Sequence, residues 1–476
     1  MITSIQPPVR CYSDTVICIQ RIDRLRSAIQ VLTKASEEVI KAWESEAAQS
    51  ETLILSSSSI PPSQNPGSVP SHELYKARNE ILGAVGVCIE LVHDPQIRLL
   101  EVAFQIYEAR ALHIVAEKRV ADIFAEGDQV HGTSIAELSK RTGIKDHKLA
   151  RLLRTLCSTH VFSEVSEGYF GNNVISEHLA HNEALRAYIM LHHHFIYDCC
   201  GKLPEVLSDP TKSNSESNRE TAFQVVFKTN QTSWEWFKEP IMLPDGSTKP
   251  KPVLELFSLA MVGAGRAQGQ AVIVDYPWAE LGSATIVDVG GGIGGMSMDL
   301  ARNYPKLKFI VQDLSEQIEQ APSIWEKELP AVLEGERVKF MIHNFLTEQP
   351  VKNAEIYFLR YIMHDYPDDV CIKILSTLRP ALGTKSRILI CDQVTRTTCG
   401  SPQDVDEHIP YPLPANYGFA HRYPNMSDLN MMTLLAGRER TVSEYKNLAK
   451  SAGLQILKLW KCRGTLWVIE MGLPPA

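Results

Sequence analysis

The spacing of apolar residues changes character near residue 272. Before it, apolar positions recur mostly at three- and four-residue intervals; after it they gather into short, nearly continuous runs. The first pattern predicts helices, because that spacing lines one face of a 3.6-residue turn. It covers about residues 14–50 and returns from Glu73 to about Ala125, as in "EVAFQIYEARALHIVAEKRVADIFAE". The second pattern comprises "TIVDV", "KFIVQD", "VKFMIH", "EIYFLRYIM", "RILICDQV" and "TLWVIEM". Runs without a polar face suit strands covered on both sides. Alternating with helices, they predict a doubly wound α/β domain.

Punctuation divides the rest. "SSSSIPPSQNPGSVPS", Ser56 to Ser71, is rich in Ser and Pro and reads as a linker. In "TSIAELSKRTGI", Ser134 and Glu137 predict a capping box and Gly143 a helix end. "KDHKLARLLRTLCSTHVF" aligns Leu149, Leu152, Leu153 and Leu156 on one face, and "FSEVSEGYFGNN" turns at Glu167–Gly168 as a hairpin. Helix, turn, helix and hairpin give a winged-helix reading. The expected division is 1–72, an N-terminal helix and linker; 73–180, a winged-helix domain; 181–264, a helical connector; and 265–476, the α/β domain.

Composition narrows the function. The chain has 476 residues, 44% hydrophobic and 22% charged, with a net charge of -8. Lys148, Arg151 and Arg154 on the second helix of the winged-helix pattern invite a DNA-binding reading, but an acidic chain without basic blocks favours a solvated face. No apolar run reaches the roughly 20 residues of a membrane span. The N-terminus lacks a secretory pattern, and ten scattered cysteines without a CxxC pair suit a reduced, cytoplasmic setting. His192, His193 and His194 are consecutive, and on a helix adjacent residues point about 100° apart, so no metal is expected.

Two stretches carry chemistry. In "TIVDVGGGIGGMSMDLARNYP" a strand ends at Val289 and runs into Gly290, Gly291, Gly292, Gly294 and Gly295 before a helix. Glycine serves where φ is positive or a ligand must approach bare amides. Asp313 follows at the tip of the next strand, where a carboxylate can accept both hydroxyls of a ribose. Gly290-x-Gly292-x-x-Gly295 fits a dinucleotide fingerprint. Asp288-x-Gly290-x-Gly292-x-Gly294 fits the acidic loop of S-adenosylmethionine enzymes, and Asp288 favours that reading, since a carboxylate suits a cationic methionine headgroup better than a pyrophosphate. The second stretch, "EIYFLRYIMHDYPDD", delivers His364 and Asp365 side by side at the mouth of a buried strand.

In order, "VDVGGGIGG", "VQDL", "HNFL", "FLRYIMHDYPDD", "ILICDQV" and "LNMMTLLAGRERTVSEYKNLAKSAGL" resemble the class I S-adenosylmethionine-dependent O-methyltransferases of the caffeic acid and hydroxyindole type, especially fungal natural-product members. The likeness covers roughly residues 73–476, the helices before residue 130 resembling that family's dimerisation domain. The resemblance implies His364 as general base, with Asp392 and Glu439 orienting it. It implies cofactor contacts at Gly290, Gly291, Gly292, Asp313, Asn344, Phe345 and Arg360, beside Asp288. Asn344 stands where the family usually has aspartate, and Asp392 is one methylene shorter than the glutamate of plant members.

The implied reaction transfers a methyl group to a phenol. A phenol ionises near pH 10 and imidazole near 6.5, so full proton transfer before reaction would cost roughly 5 kcal/mol unless the site assists. A flat, polyketide-like aromatic acceptor is expected, lined by His193, Tyr197, Trp236, Met426 and Met432, within a homodimer and with neither nucleic acid nor membrane as partner. Three other readings stand: a methyltransferase-like pericyclase or dehydratase that binds but does not consume the cofactor, a winged-helix regulator on DNA, and a nicotinamide oxidoreductase.

Overall fold

The computed structural model describes residues 14–56, 69–401 and 408–475. The Ser/Pro-rich run thus lies mostly, at 57–68, outside the described residues. Compact packing separates two units. One gathers the chain up to Leu100 with Arg396–Tyr423; the other holds Glu101–Thr395 and Pro424–Ala476.

In the first unit a long helix, Asp14–Ser56, pairs with the helix His72–Val92. Small residues make the seam: Ala28, Ala35 and Val39 are buried with Leu74, Ala77, Val87 and Leu91. Arg24 grips Glu90 through two 2.9 Å bonds. The apolar pattern from residue 73 to 125, which passes into the second unit at Glu101, is cut into four helices rather than one run. Pro95 opens the helix Pro95–Phe104, with Asp94 accepting from the amides of Gln96 and Ile97, both at 2.9 Å. Arg119, at φ 54°, separates Ile106–Glu117 from Val120–Glu126.

In the second unit, strands β1 (Thr133–Ser134), β2 (Ser163–Ser166) and β3 (Tyr169–Gly171) form a small sheet ordered β1-β3-β2. The helices Ile135–Thr142 and Asp146–Ser158 accompany it. Leu138, Leu149, Leu153 and Leu156 are buried with Phe162 and Phe170. Ser134 accepts from the Glu137 amide at 3.3 Å, one half of the expected capping box. Gly143 and Gly168 take the left-handed conformations that the turns need. Arg154 is paired with Glu164 at 2.8 Å.

The stretch from 181 on is mainly helical but includes a short hairpin, β4 (Ile241–Met242) and β5 (Thr248–Lys249), at the Asp245–Gly246 turn. The following helix, Pro252–Asp275, is continuous across residues 264 and 265. Phe195, Phe223, Phe237 and Ala222 form the core of this region.

The large sheet has seven strands: β6 (Thr285–Val289), β7 (Lys308–Asp313), β8 (Val338–Ile342), β9 (Ile356–Arg360), β10 (Arg387–Gln393), β11 (Gln455–Lys461) and β12 (Leu466–Gly472). Their spatial order is β11-β12-β10-β9-β6-β7-β8. β6 to β10 run parallel; β12 returns antiparallel beside β10, and β11, antiparallel to β12, runs in the same direction as β6 to β10. Central strands are buried along almost their whole length, as their unbroken apolar runs require. β11 is an edge strand, half-exposed and carrying Lys458 and Lys461, so its apolar signal is diluted. Chain order reverses between β6 and β9. Ligands of doubly wound sheets bind beyond the carboxyl ends of strands at such a point. No helix among the described residues is long and apolar enough to cross a membrane.

Candidate active site

β6 delivers the glycine loop to the reversal point. The amides of Gly290 and Gly291 both donate to the Gln312 carbonyl, at 2.9 and 3.0 Å. Gly290 has φ 70°, and a Cβ there would come within 2.6 Å of Ile362 and 3.4 Å of the Phe345 ring. One backbone position therefore brings together the glycine loop, the segment after β8 and the turn after β9. Gly292 faces open space and donates its amide to Asp313 Oδ2 at 2.8 Å. Asp313 Oδ1 accepts from the Leu314 amide at 2.7 Å.

Asp288 lies beneath this loop. It is buried, accepts from the Ser297 hydroxyl at 2.6 Å, and burial pushes its carboxyl up to about 6. Its contacts support the loop from below. Asn344 is exposed, and its Oδ1 accepts from the Leu346 amide at 2.9 Å. Phe345 meets Tyr366 edge-on at 5.9 Å. Arg360 lays its guanidinium against Gly265 and Gly269, where added Cβ atoms would lie 2.7 and 3.5 Å away.

β9 ends at Arg360, and His364 follows on the single turn Met363–Asp365. Its Nδ1 lies 3.1 Å from Glu439 Oε1 and its Nε2 3.3 Å from Asp365 Oδ1. Burial alone would lower the imidazole, but the carboxylates of Asp365 and Glu439 outweigh it and hold it up at about 10. Burial pushes Asp365 up to about 7. Glu439 is fixed in turn: Gln393 and Ser427 each donate to its Oε1 at 3.0 Å, and its own amide donates to Asp428 at 2.8 Å. Its Oε2 is buried and has no hydrogen-bond partner.

Asp392 holds backbone rather than the ring. Its Oδ1 accepts from the Tyr361 amide at 2.9 Å, and its Oδ2 from the Tyr445 hydroxyl at 3.1 Å. Tyr361 takes φ 55°, a conformation costly for a bulky residue. The carboxylate thus pins the strained step by which the chain enters the His364 turn. Burial raises the Asp392 carboxyl, and the nearby His364 opposes that.

The expected acceptor-lining residues divide. Met426 and Met432 share the helix Arg422–Leu435 with Ser427, which touches Glu439. His193 and Tyr197 lie elsewhere in the fold's contacts: Arg110 stacks 4.1 Å over the Tyr197 ring and reaches His193 Nδ1 at 3.2 Å, and His193 sits 4.3 Å from the His113 ring. Trp236 packs on Phe223 and Phe227 and carries Lys251 over its ring. The three consecutive histidines occupy a π-helical turn, His192–Ile196. Gln393, Ser427, Tyr445 and Arg440 join Asp365 in the surroundings of His364 without having been singled out in the sequence. Gln393, Tyr445 and Arg440 lie inside matched segments and Ser427 two residues before one, so their only signal was that placement.

A family model described as the O-methyltransferase domain matches residues 250–455. O-methyltransferase gedA of Aspergillus terreus is 41% identical over 474 residues, covering 94% of this chain and 96% of that protein. O-methyltransferase tpcA of Aspergillus fumigatus is 42% identical over 435 residues, covering 86% of this chain and 90% of that protein. Among solved structures, LepI in complex with SAM superposes with a TM-score of 0.66 at 22% identity, covering 90% of this chain and 100% of that one, which shows a common fold. Likeness of this depth along nearly the whole chain, on a sheet with this strand order and glycine loop, means that the protein belongs to the S-adenosyl-L-methionine-dependent O-methyltransferases of fungal secondary metabolism.

Proposed function

We propose that the protein methylates a phenolic hydroxyl of an aromatic, polyketide-like metabolite, with His364 as general base. The observation that carries this reading is the 3.1 Å pairing of His364 Nδ1 with Glu439 beside the β6–β9 reversal point. The residues fit the cofactor. Gly292 leaves an open cradle, and Asp313 stands at the strand tip with its carboxylate ordered by two backbone amides. Gly290, Gly291 and Gly292 would pass close to the methionine part, Asp313 would hold the ribose, and Asn344 and Phe345 would meet the adenine. Asp288 would act from below the loop, and Arg360 from the Gly265–Gly269 face. When bound, S-adenosyl-L-methionine supplies an electrophilic methyl carbon with a positive charge beside it.

His364 supplies the complementary step. Glu439 occupies Nδ1, so Nε2 is the nitrogen available to an acceptor hydroxyl, beside Asp365. An imidazole held near 10 matches a phenol's own value of about 10, and the roughly 5 kcal/mol gap facing an ordinary histidine closes. The same shift has a cost. In the free enzyme at neutral pH the ring carries both protons and cannot accept another. The neutral ring gains population as pH rises, so kcat/KM is expected to climb from pH 7 toward about 10. Met426 and Met432 are assigned to the acceptor side through their shared helix with Ser427.

Self-association is part of the proposal. The helix Pro95–Phe104 buries none of its residues, and Leu99, Phe104 and Tyr107 are 73%, 61% and 63% exposed. A patch of this kind is typically covered in a partner, and a second copy is the partner the family suggests; native mass spectrometry tests it. For the reaction, incubation with a panel of phenolic acceptors, read by mass spectrometry, should yield methylated product and S-adenosylhomocysteine in equal amounts. Acceptor conversion without S-adenosylhomocysteine would instead support the pericyclase reading.

A further inference from the structure

We propose that Arg440 is a positioning residue for methyl transfer: it clamps the backbone turn that carries His364, so that Nδ1 stays aimed at Glu439. The inference rests on the assignment of His364 as base and adds to it the device that aims the ring.

Arg440 is fully buried. Its Nη1 donates to the Met363 carbonyl and its Nη2 to the Tyr366 carbonyl, each at 2.6 Å. Those two residues bracket His364 and Asp365. The third donor, Nε, reaches Asp368 Oδ1 at 3.0 Å, at the start of the helix Asp368–Leu378. One planar guanidinium thus spans the turn from both sides and ties it to the next helix. Lysine cannot reproduce this, because an ammonium is a point charge without a fixed fork. Burying the cation is costly unless it is paired, and Asp368 supplies the pair.

The neighbours of Arg440 make the clamp specific to the base. Glu439, one residue earlier, is the partner of Nδ1. Gly437 passes so close that a Cβ there would overlap the His364 carbonyl. The segment 437–440 therefore meets the turn 363–366 through backbone approach, ring contact and a forked cation together. The turn has only three residues, Met363–Asp365, and enters through the strained Tyr361. Without the fork the Met363 and Tyr366 carbonyls keep only longer contacts, from the Cys371 thiol at 3.2 and 3.4 Å and, at Met363, from the Tyr366 amide at 3.4 Å, and the ring loses its fixed distance from Glu439. A misplacement of about 1 Å at a reacting group can cost ~10²-fold in rate.

The test uses the full-length enzyme with Arg440→Lys, Arg440→Ala, Asp368→Asn and His364→Ala, measuring kcat, cofactor Kd by calorimetry, and the pH dependence of kcat/KM. Arg440→Lys is expected to lose ~10- to 10²-fold in kcat with cofactor Kd within about twofold of the parent. The rising limb of its pH profile should move to lower pH, since a ring no longer held to Glu439 is less basic. Guanidinium ion added to Arg440→Ala should restore part of the lost kcat. A parental kcat and pH profile in Arg440→Lys overturns the proposal. So does a loss that follows cofactor affinity and Tm downward, leaves the pH limb unmoved and is not rescued. Should the Arg440 variants fail to fold, Asp368→Asn decides, with a displaced limb expected and an unmoved one contrary. If His364→Ala keeps its rate, the base assignment itself fails, a result distinct from any of these.

Discussion

At the carboxyl ends of β6, β9 and β10, polar side chains are paired across elements distant in sequence. Glu439 meets His364, Asp392 meets Tyr361 and Tyr445, and Asp313 meets the Gly292 amide. In the helical stretch from 181 to 251, aromatic side chains pack on one another instead. Phe223 touches Phe195, Phe227, Trp236 and Phe237 with ring centroids 6.3, 4.6, 5.6 and 6.1 Å away. Both regions are dense in residues that commonly mark function. The first gathers shifted groups, His364, Asp365 and Asp392, around one point, and clustered shifts of this kind accompany chemical sites. The second spends its aromatic residues on packing. Unusual composition therefore marks either a site or a core, and partner identity tells them apart.

The largest effect expected from breaking that contrast lies in the aromatic region. Phe223→Ala should destabilise the protein by about 3–5 kcal/mol, the usual range for a buried phenylalanine. Chemical denaturation measures it, and at permissive temperature the pH–rate profile should stay put. Next, Gly290→Ala forces a side chain into a positive-φ position already crowded by Ile362 and Phe345. Strain of about 1–3 kcal/mol predicts cofactor binding ~5- to 150-fold weaker by calorimetry, with Tm little changed. Glu439→Gln removes one of the charges that raise His364. The ring should become less basic, so the rising limb of kcat/KM shifts to lower pH, with kcat down ~10-fold for loss of a charge-assisted contact. The smallest effect belongs to Asn344→Asp, which restores the acid usual in the family; a stronger, charged acceptor should tighten cofactor binding by only ~2- to 5-fold.

Legibility in the sequence followed the same divide. The strands β6, β9, β10 and β12 were readable because near-complete burial leaves no polar face to interrupt the apolar run, and the partly buried β7 and β8 because their runs are still mostly apolar. β11 was not, because an edge strand mixes lysines into the pattern. The placement of Gly290 to Gly292, Asp313 and His364 at or just beyond strand ends was readable, because the apolar runs before them mark where those strands stop. The role of Asp392 was only half readable. Its place at the end of β10 was expected, but its grip on the Tyr361 amide depends on a backbone conformation that no residue pattern announces. Arg440 stood in a quoted stretch without an assigned part, since a side chain that reaches carbonyls 77 and 74 positions away leaves no local period. The four-helix break between 72 and 126 was signalled by Pro95 but masked by a continuous apolar rhythm.

The assignment of His364 as base is tested most directly by single-turnover formation of S-adenosylhomocysteine in His364→Ala, with cofactor binding measured on the same sample. The expected result is a rate at least ~10²-fold below the parent, the scale of a general base, with cofactor Kd within about twofold. A parental rate in that variant, with cofactor bound, would contradict the account.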